Sequence, residues 1–257
     1  MNGALTPVQQ SERKLGALDM SILWFGAAIS IAEIWAGGQA PLTALGLGLG
    51  LAAIVFGRMI GVGLMAAVSA LGARSGLPTM ALTRSVFGLR GSFALSALNV
   101  LQLVGWTGWM IFVGSAYIDA LAVQLGLPSA ADSPALRLTY CAVLSALCII
   151  WANTFAGRKH WRIVERVSGA LLLLLTLWMS YAVLRQYPLA GLAAGTGGSF
   201  FGGLDLVIAM SVSWLPLCAD YSAYSKSARA GAIGTFWGYD GSLGVNGACC
   251  VDGKEAG

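Results

Sequence analysis

Three stretches of this sequence set groups capable of chemistry inside apolar text. The first is Ile22–Gly38, ILWFGAAISIAEIWAGG, where Gly26, Ser30, Glu33 and a closing Gly37–Gly38 pair interrupt a run apolar enough to enter a bilayer. A charged side chain at the centre of a membrane helix costs about 2.5–3.5 kcal/mol on insertion scales, so an acid kept there faces protein or a water-filled cavity. Glu33 lies three residues after Ser30 and four after Ile29, so all three share one helical face. That reads as a site-forming transmembrane helix; the competing reading is an anchor with Glu33 near the outer interface. The second stretch is AMSVSWLPLCADYSAYSKSA, Ala209–Ala228. Pro216 has no N–H to give, which frees the carbonyl of Val212 among Ser211, Ser213 and Trp214. A broken helix at membrane depth is tolerated only where it faces protein or a cavity, and a simple proline kink is the alternative. The third is LQLVGWTGWM, in which Gln102 and Trp106, four apart, present an amide and a large ring on one face.

Other chemistries lack their residues. There is a single histidine, His160, in a basic connecting loop, and no CxxC. The five cysteines are scattered: Cys141 and Cys148 in one apolar segment, Cys218 in another, Cys249 and Cys250 adjacent near the end. Neither a metal centre nor a disulfide framework is expected. A membrane-embedded enzyme would need a Ser/His pair, paired aspartates or HExxH within its spans. Asp205 and Asp220 lie towards opposite ends of one apolar segment, so no enzyme is expected. No basic-aromatic interleaving points to nucleic acid.

The elements that must position these groups are membrane spans. The chain has 257 residues, 57% hydrophobic and 10% charged, with mean hydropathy +0.76. Soluble domains carry about 25% charged residues. About 20 apolar residues cross a bilayer, and six segments qualify: 20–37, 41–72, 93–123, 136–155, 166–184 and 203–221. Gly57 and Gly61 form a GxxxG in the second, read as a helix-packing motif. Eleven Lys and Arg lie in the tail and loops of one side: Arg13 and Lys14; Arg74, Arg84 and Arg90; Arg158, Lys159, Arg162 and Arg166; Lys226 and Arg229. The other side has only Arg137 and Arg185. That asymmetry puts the N-terminus in the cytoplasm of a multi-pass protein of the inner membrane. A cleaved secretory signal could also begin with Arg13 and Lys14, but the many later spans favour a retained first helix. Arg58, inside the second segment, either lines a polar interior or snorkels.

Between spans two and three, the loop Gly72–Ser92 reads as turns around a short helix. Gly191–Gly203 lacks the Gly-Lys-Ser/Thr ending of a phosphate cradle and reads as a connector. Residues 1–19 form a polar tail, 20–239 a transmembrane domain, and 240–257 a polar segment of different character. GTFWGY begins like a seventh span but then stops, as a shifted reading frame or a truncation near residue 240 would produce.

LWFGAAISIAEIWAGG, FGLRGS at Phe87–Ser92, QLVGWTG and SWLPLCADYS together resemble the nucleobase:cation symporter-1 family, most closely its cytosine and hydroxymethylpyrimidine permease branch. The resemblance runs from about residue 15 to residue 239. It implies an all-α integral membrane fold, the N-terminal half of a LeuT-type inverted-repeat transporter with about six transmembrane helices. In such folds the site lies near the midplane between discontinuous helices. By the same resemblance, the backbone carbonyls of Gly26 and Ile29 match positions that bind sodium, the only metal implied. Ser30 matches a substrate-lining position and Trp106 a residue that stacks on the heterocycle. Two alignments of span six stay open. One makes Trp214 the second stacking residue; the other puts Ser211 there, with Ser213 as the polar contact. Glu33 has no fixed counterpart, and an acid there could accept hydrogen bonds from an aminopyrimidine.

The implied function is import of a pyrimidine-type base or thiamine-precursor pyrimidine, such as cytosine or hydroxymethylpyrimidine. The implied coupling ion is sodium or a proton, with no other cofactor. The family's ion site is completed on span eight, which this chain does not reach, so a truncated and inactive form is expected. The implied partners are a small heterocyclic substrate, membrane lipid, and a missing C-terminal half or a second copy. A non-transporting accessory or dimerising membrane subunit is the contrasting reading.

Overall fold

Apolar side chains all round a helix, broken by small residues where helices touch, dictate a bundle with lipid-facing flanks. A computed structural model gives that architecture and describes residues 6–131, 133–154, 158–186 and 195–241. Cys249, Cys250 and nearly all of the expected polar tail lie outside the described residues, as do residues 155–157 and 187–194. The helices are α1 (Ala17–Ala28), α2 (Ile31–Gly37), α3 (Ala40–Thr43), α4 (Gly46–Ser75), α5 (Thr79–Gln124), α6 (Pro134–Thr154), α7 (Arg158–Gln186), α8 (Phe200–Val212), α9 (Leu215–Ser222) and α10 (Ala228–Asp240).

Several expected boundaries move. The first span is two helices, because Ile29 (φ −90°, ψ 86°) and Ser30 (φ −137°, ψ 157°) leave helical geometry. The face that Ile29, Ser30 and Glu33 were expected to share therefore does not exist. The second span is preceded by the separate turn α3, with Pro41 in its first turn where a missing N–H costs nothing. The basic run from Arg158 to Arg166, expected as a loop with His160 in it, is the opening of α7. Arg229, also expected in a loop, is in the first turn of α10, whose start is set by Ser227 Oγ accepting the Ala230 N–H at 3.1 Å. Gly72–Ser92 does contain a short helical piece: α5 starts at Thr79 and is interrupted at Gly88 (φ 67°, ψ −175°), a conformation only glycine adopts freely.

Among the described residues, Gly46–Ser75, Thr79–Gln124, Pro134–Thr154 and Phe200–Ser222 are long and apolar enough to cross a membrane. The apolar helices Ala17–Ala28 and Val167–Ala182 are shorter.

The helices group into two units. One comprises Met1–Ser92 with Glu165–Gly257, the other Phe93–Val164. In the first, α4 is the central post: α8, α9 and α10 pack along it, and α10 also packs along α1. The close approach of α4 to α8 requires glycine. A Cβ on Gly57 would stand 2.8 Å from Val207 Cβ, and one on Gly61 would stand 2.6 Å from Ser211 Cβ. The GxxxG is a packing motif, as expected. Gly61→Val is predicted to destabilise the bundle by about 1–3 kcal/mol, the usual cost of overpacking. Thermal unfolding in detergent reads this, and an unchanged midpoint would contradict the close approach.

One core cluster gathers Met20, Trp24, Ala28, Val62, Met65, Cys218 and Tyr239, and a second gathers Leu42, Leu45, Ala53, Ile54 and Val207. The tail before α1 is tied to the same unit. Val8 N–H donates to the Gly76 carbonyl at 2.8 Å, Arg13 Nη1 to the Ala73 carbonyl at 2.9 Å, and Leu15 N–H to the Tyr224 carbonyl at 3.0 Å. The connector before α8 runs against the α3–α4 turn, where Thr196 N–H donates to the Ala44 carbonyl at 2.8 Å.

The second unit is organised by Asp119. Its Oδ1 accepts the Ala130 N–H at 2.6 Å and its Oδ2 the Ser129 hydroxyl at 3.2 Å, while Arg137 lies 3.5 Å from Oδ2. These contacts fasten the loop between α5 and α6.

Candidate functional site

The helix break at Ile29–Ser30 follows from local chemistry. Ser30 is the N-cap of α2: its Oγ accepts the Glu33 N–H at 3.3 Å, satisfying one of the orphan donors that begin a helix. Glu33 is the third residue of that new helix, where a negative charge complements the dipole. α1 ends on the Ile29 N–H donating to the Phe25 carbonyl at 3.1 Å, so the carbonyls beyond Phe25 leave helical register. Gly26 and Ile29, the expected cation-binding carbonyls, flank this ending. Ser30 is half-buried, and Ile29 is buried.

Span six breaks differently. Ser213 (φ −58°, ψ −22°) and Trp214 (φ −86°, ψ −12°) stay in the right-handed region, and Trp214 N–H donates to the Ser211 carbonyl at 3.1 Å. The joint between α8 and α9 is a tightened turn, with Pro216 in the first turn of α9. Ser213 is half-buried there, its hydroxyl donating to the Met210 carbonyl at 2.6 Å. Ser211 is 1% exposed and sits in the α4–α8 contact against Gly61, its hydroxyl donating to the Val207 carbonyl at 3.3 Å.

Two aromatic residues that sequence reading did not single out link these breaks. Trp24, fully buried on α1, meets Trp214 edge to face at 5.9 Å between ring centres and Tyr239 at 6.2 Å. Tyr239, in the last turn of α10, donates its hydroxyl to Glu33 Oε1 at 2.5 Å. Arg58 completes the group. Its Nη2 donates to Glu33 Oε2 at 2.9 Å, its Nη1 to the Tyr239 carbonyl at 2.7 Å, and its guanidinium carbon lies 5.1 Å from the centre of the Tyr239 ring. The ion pair is buried, with side-chain exposures of 2% for Arg58 and 9% for Glu33. Arg58 therefore lines a polar interior and does not snorkel, and both Glu33 oxygens are engaged within the protein. Intramembrane charges pair with each other, so the two charges inside neighbouring apolar segments were the available signal for Arg58.

A small cavity of about 20 Å³, room for about one water molecule, lies beside the pair, walled by Leu42, Ile54, Val207 and Met210; of the expected site residues only Glu33 lines it. Gln102 and Trp106 belong to the second unit. Both are half-buried between exposed neighbours, and Trp106 meets Trp109 edge to face at 5.6 Å. Among the described residues no group of three or more His, Cys, Asp or Glu could hold a metal. Cys141, Cys148 and Cys218 are free thiols.

Comparison with known proteins gives this geometry a family. The sequence profile of permeases for cytosine/purines, uracil, thiamine and allantoin matches residues 7–246. The purine-uracil permease NCS1 of Arabidopsis thaliana is 28% identical over 185 residues, which is 68% of this chain and 30% of that protein. The cytosine permease of Escherichia coli K12 is 28% identical over 239 residues, 88% of this chain and 52% of that protein. The hydantoin permease of Microbacterium maritypicum is 24% identical over 188 residues, covering 72% and 36% respectively. Among solved structures, Mhp1, a nucleobase-cation-symport-1 family transporter in a closed conformation with bromovinylhydantoin bound, superposes with a TM-score of 0.76 at 21% identity. That match covers 98% of this chain and 56% of Mhp1. The chain thus spans about a third to a half of the length of these curated relatives. It is a multi-pass, all-α membrane protein with the fold of a membrane transporter, and it belongs to the family of permeases for cytosine/purines, uracil, thiamine and allantoin.

Proposed function

We propose that this chain supplies the N-terminal half of a cation-coupled symporter importing a flat pyrimidine-type heterocycle, cytosine or hydroxymethylpyrimidine, across the inner membrane, with its N-terminus cytoplasmic. The observation that carries the reading is the interrupted first span. It places a half-buried hydroxyl, Ser30, and unwound backbone carbonyls at the end of α1, the helix whose Trp24 meets Trp214 at the joint of span six. Interrupted helices are how such transporters hold a polar substrate and its coupling ion within the bilayer. In this reading the carbonyls of Gly26 and Ile29 contribute to a site for sodium, with a proton as the alternative coupling ion. Ser30 and Ser213 line the substrate position. By the family resemblance Trp106, in the second unit, is a stacking residue, with Gln102 four residues before it on the same helix. Trp214 borders the site through its edge contact with Trp24. Ser211, packed against Gly61, serves helix packing and not the substrate.

Turnover requires two repeats moving against each other, so in this reading the chain needs a C-terminal half. Radiolabelled cytosine and hydroxymethylpyrimidine uptake is the test, in cells lacking pyrimidine permeases. The chain would be expressed alone and together with the C-terminal half of a relative. Background uptake by the chain alone and saturable, sodium- or proton-dependent uptake by the pair are expected. Trp106→Ala should remove most of the restored uptake, since base–aromatic stacking is worth about 1–3 kcal/mol per ring. Background uptake by the pair, with both pieces folded in the membrane, would refute the proposal.

A further inference from the structure

The ion pair invites a direct substrate role for Glu33, but its geometry points elsewhere. α2 is seven residues long. A helix that short does not sustain itself, and here it is cut off from α1 by the extended Ser30. What holds its first turn is Glu33. One carboxylate oxygen takes the Arg58 guanidinium from α4, the other takes the Tyr239 hydroxyl from α10, and Arg58 closes the ring on the Tyr239 carbonyl. Ser30 is one hydrogen bond away, through the Glu33 N–H on its Oγ. A shift of Glu33 is therefore passed directly to the break.

We propose that Glu33, Arg58 and Tyr239 are positioning residues that fix where α2 begins, so that the Ser30 hydroxyl and the unwound backbone before it are held in one arrangement by α4 and α10. Their consequence for transport rests on the reading of Ser30 given above. The positioning itself does not, and it is measured without any substrate.

The experiment uses the full chain reconstituted in proteoliposomes, with Cys141, Cys148, Cys218, Cys249 and Cys250 replaced by alanine and Ile29→Cys, at the buried residue before the Ser30 cap, introduced as the reporter. The rate of reaction with a membrane-permeant maleimide reads how often the break opens. Each variant is assayed well below its own unfolding temperature, so that a lower global stability does not enter the rate. Arg58→Gln and Glu33→Gln are each expected to raise the rate about tenfold. Tyr239→Phe, which keeps the ring and removes only the hydroxyl, should raise it less. The double variant Glu33→Gln/Arg58→Gln, with no buried charge left unpaired, should fall back towards the parent rate. Rates within twofold of the parent in all folded single variants would overturn the proposal. So would a double variant faster than either single one, because the two residues would then act independently. Raised rates with unchanged heterocycle uptake, the uptake read with the C-terminal half of a relative also present, would keep the positioning role and count against the transport reading of Ser30.

Discussion

Arg58→Gln is expected to be among the most damaging single substitutions in this chain. Arg58 is 1% exposed, and its guanidinium makes its contacts inside a bundle, to the Glu33 carboxylate and the Tyr239 carbonyl. Removing it leaves Glu33 a buried anion with, among the described residues, the Tyr239 hydroxyl to stabilise its side chain. Breaking one partner of a buried pair costs about 3–5 kcal/mol, whereas replacing both partners with neutral groups is often nearly neutral. The prediction is a large loss of thermal stability for Arg58→Gln, a similar loss for Glu33→Gln, and a double variant closer to the parent than either. Urea or thermal unfolding of the purified protein in one detergent reads all three. Additive losses in the double variant would mean that the pair seen here does not govern stability.

Trp24→Ala is the second large effect. The indole is fully buried and touches Trp214, Tyr221 and Tyr239, all edge to face at 5.7–6.2 Å. Truncating a buried tryptophan costs about 3–5 kcal/mol through lost contacts and the cavity left behind. The cavity would open between α1, α9 and α10, beside the Trp214 joint of span six. The same variant should therefore disturb Trp214 more than Trp109. Trp109 packs on Trp106 in the other unit, and emission from single-tryptophan proteins would separate the two. Trp24→Phe keeps a ring in the space and should cost less than half as much. Equal losses for the phenylalanine and alanine variants would show that shape in this cluster is unimportant.

What the sequence made readable was the chemistry of the bilayer. Apolar length marked the spans, and Gly57 and Gly61 at a four-residue spacing marked the α4–α8 contact. Gln102 and Trp106, also four apart, fell on one partly buried face of α5. Each of these depends on local spacing, which a helix converts directly into position. The interruption at Ser30 was harder to see because hydropathy does not change there. Its signal was chemical: serine followed three residues later by glutamate is a helix start, hidden inside text that otherwise reads as continuous. The same continuity made the helical face of Ile29, Ser30 and Glu33 look sound when two of its three members lie outside a helix. Arg58 and Tyr239 lay beyond spacing arguments altogether, since they reach Glu33 from other helices. Only the rule that a buried charge needs a partner could have joined Arg58 to Glu33, and nothing local could have joined Tyr239 to either.

The central claim is that the break at Ser30 and the kink at Ser213 face one heterocycle. Protection from thiol labelling tests it most directly. Ser30→Cys and Ser213→Cys, each in the cysteine-free chain, would react with maleimide in the presence and absence of saturating cytosine or hydroxymethylpyrimidine, and a third protein keeping Cys148, on the exposed face of α6, as its single cysteine would be the control. The account predicts that the heterocycle slows labelling at both serine positions and leaves Cys148 unchanged. Equal labelling with and without the heterocycle at both positions, in folded protein, would contradict it.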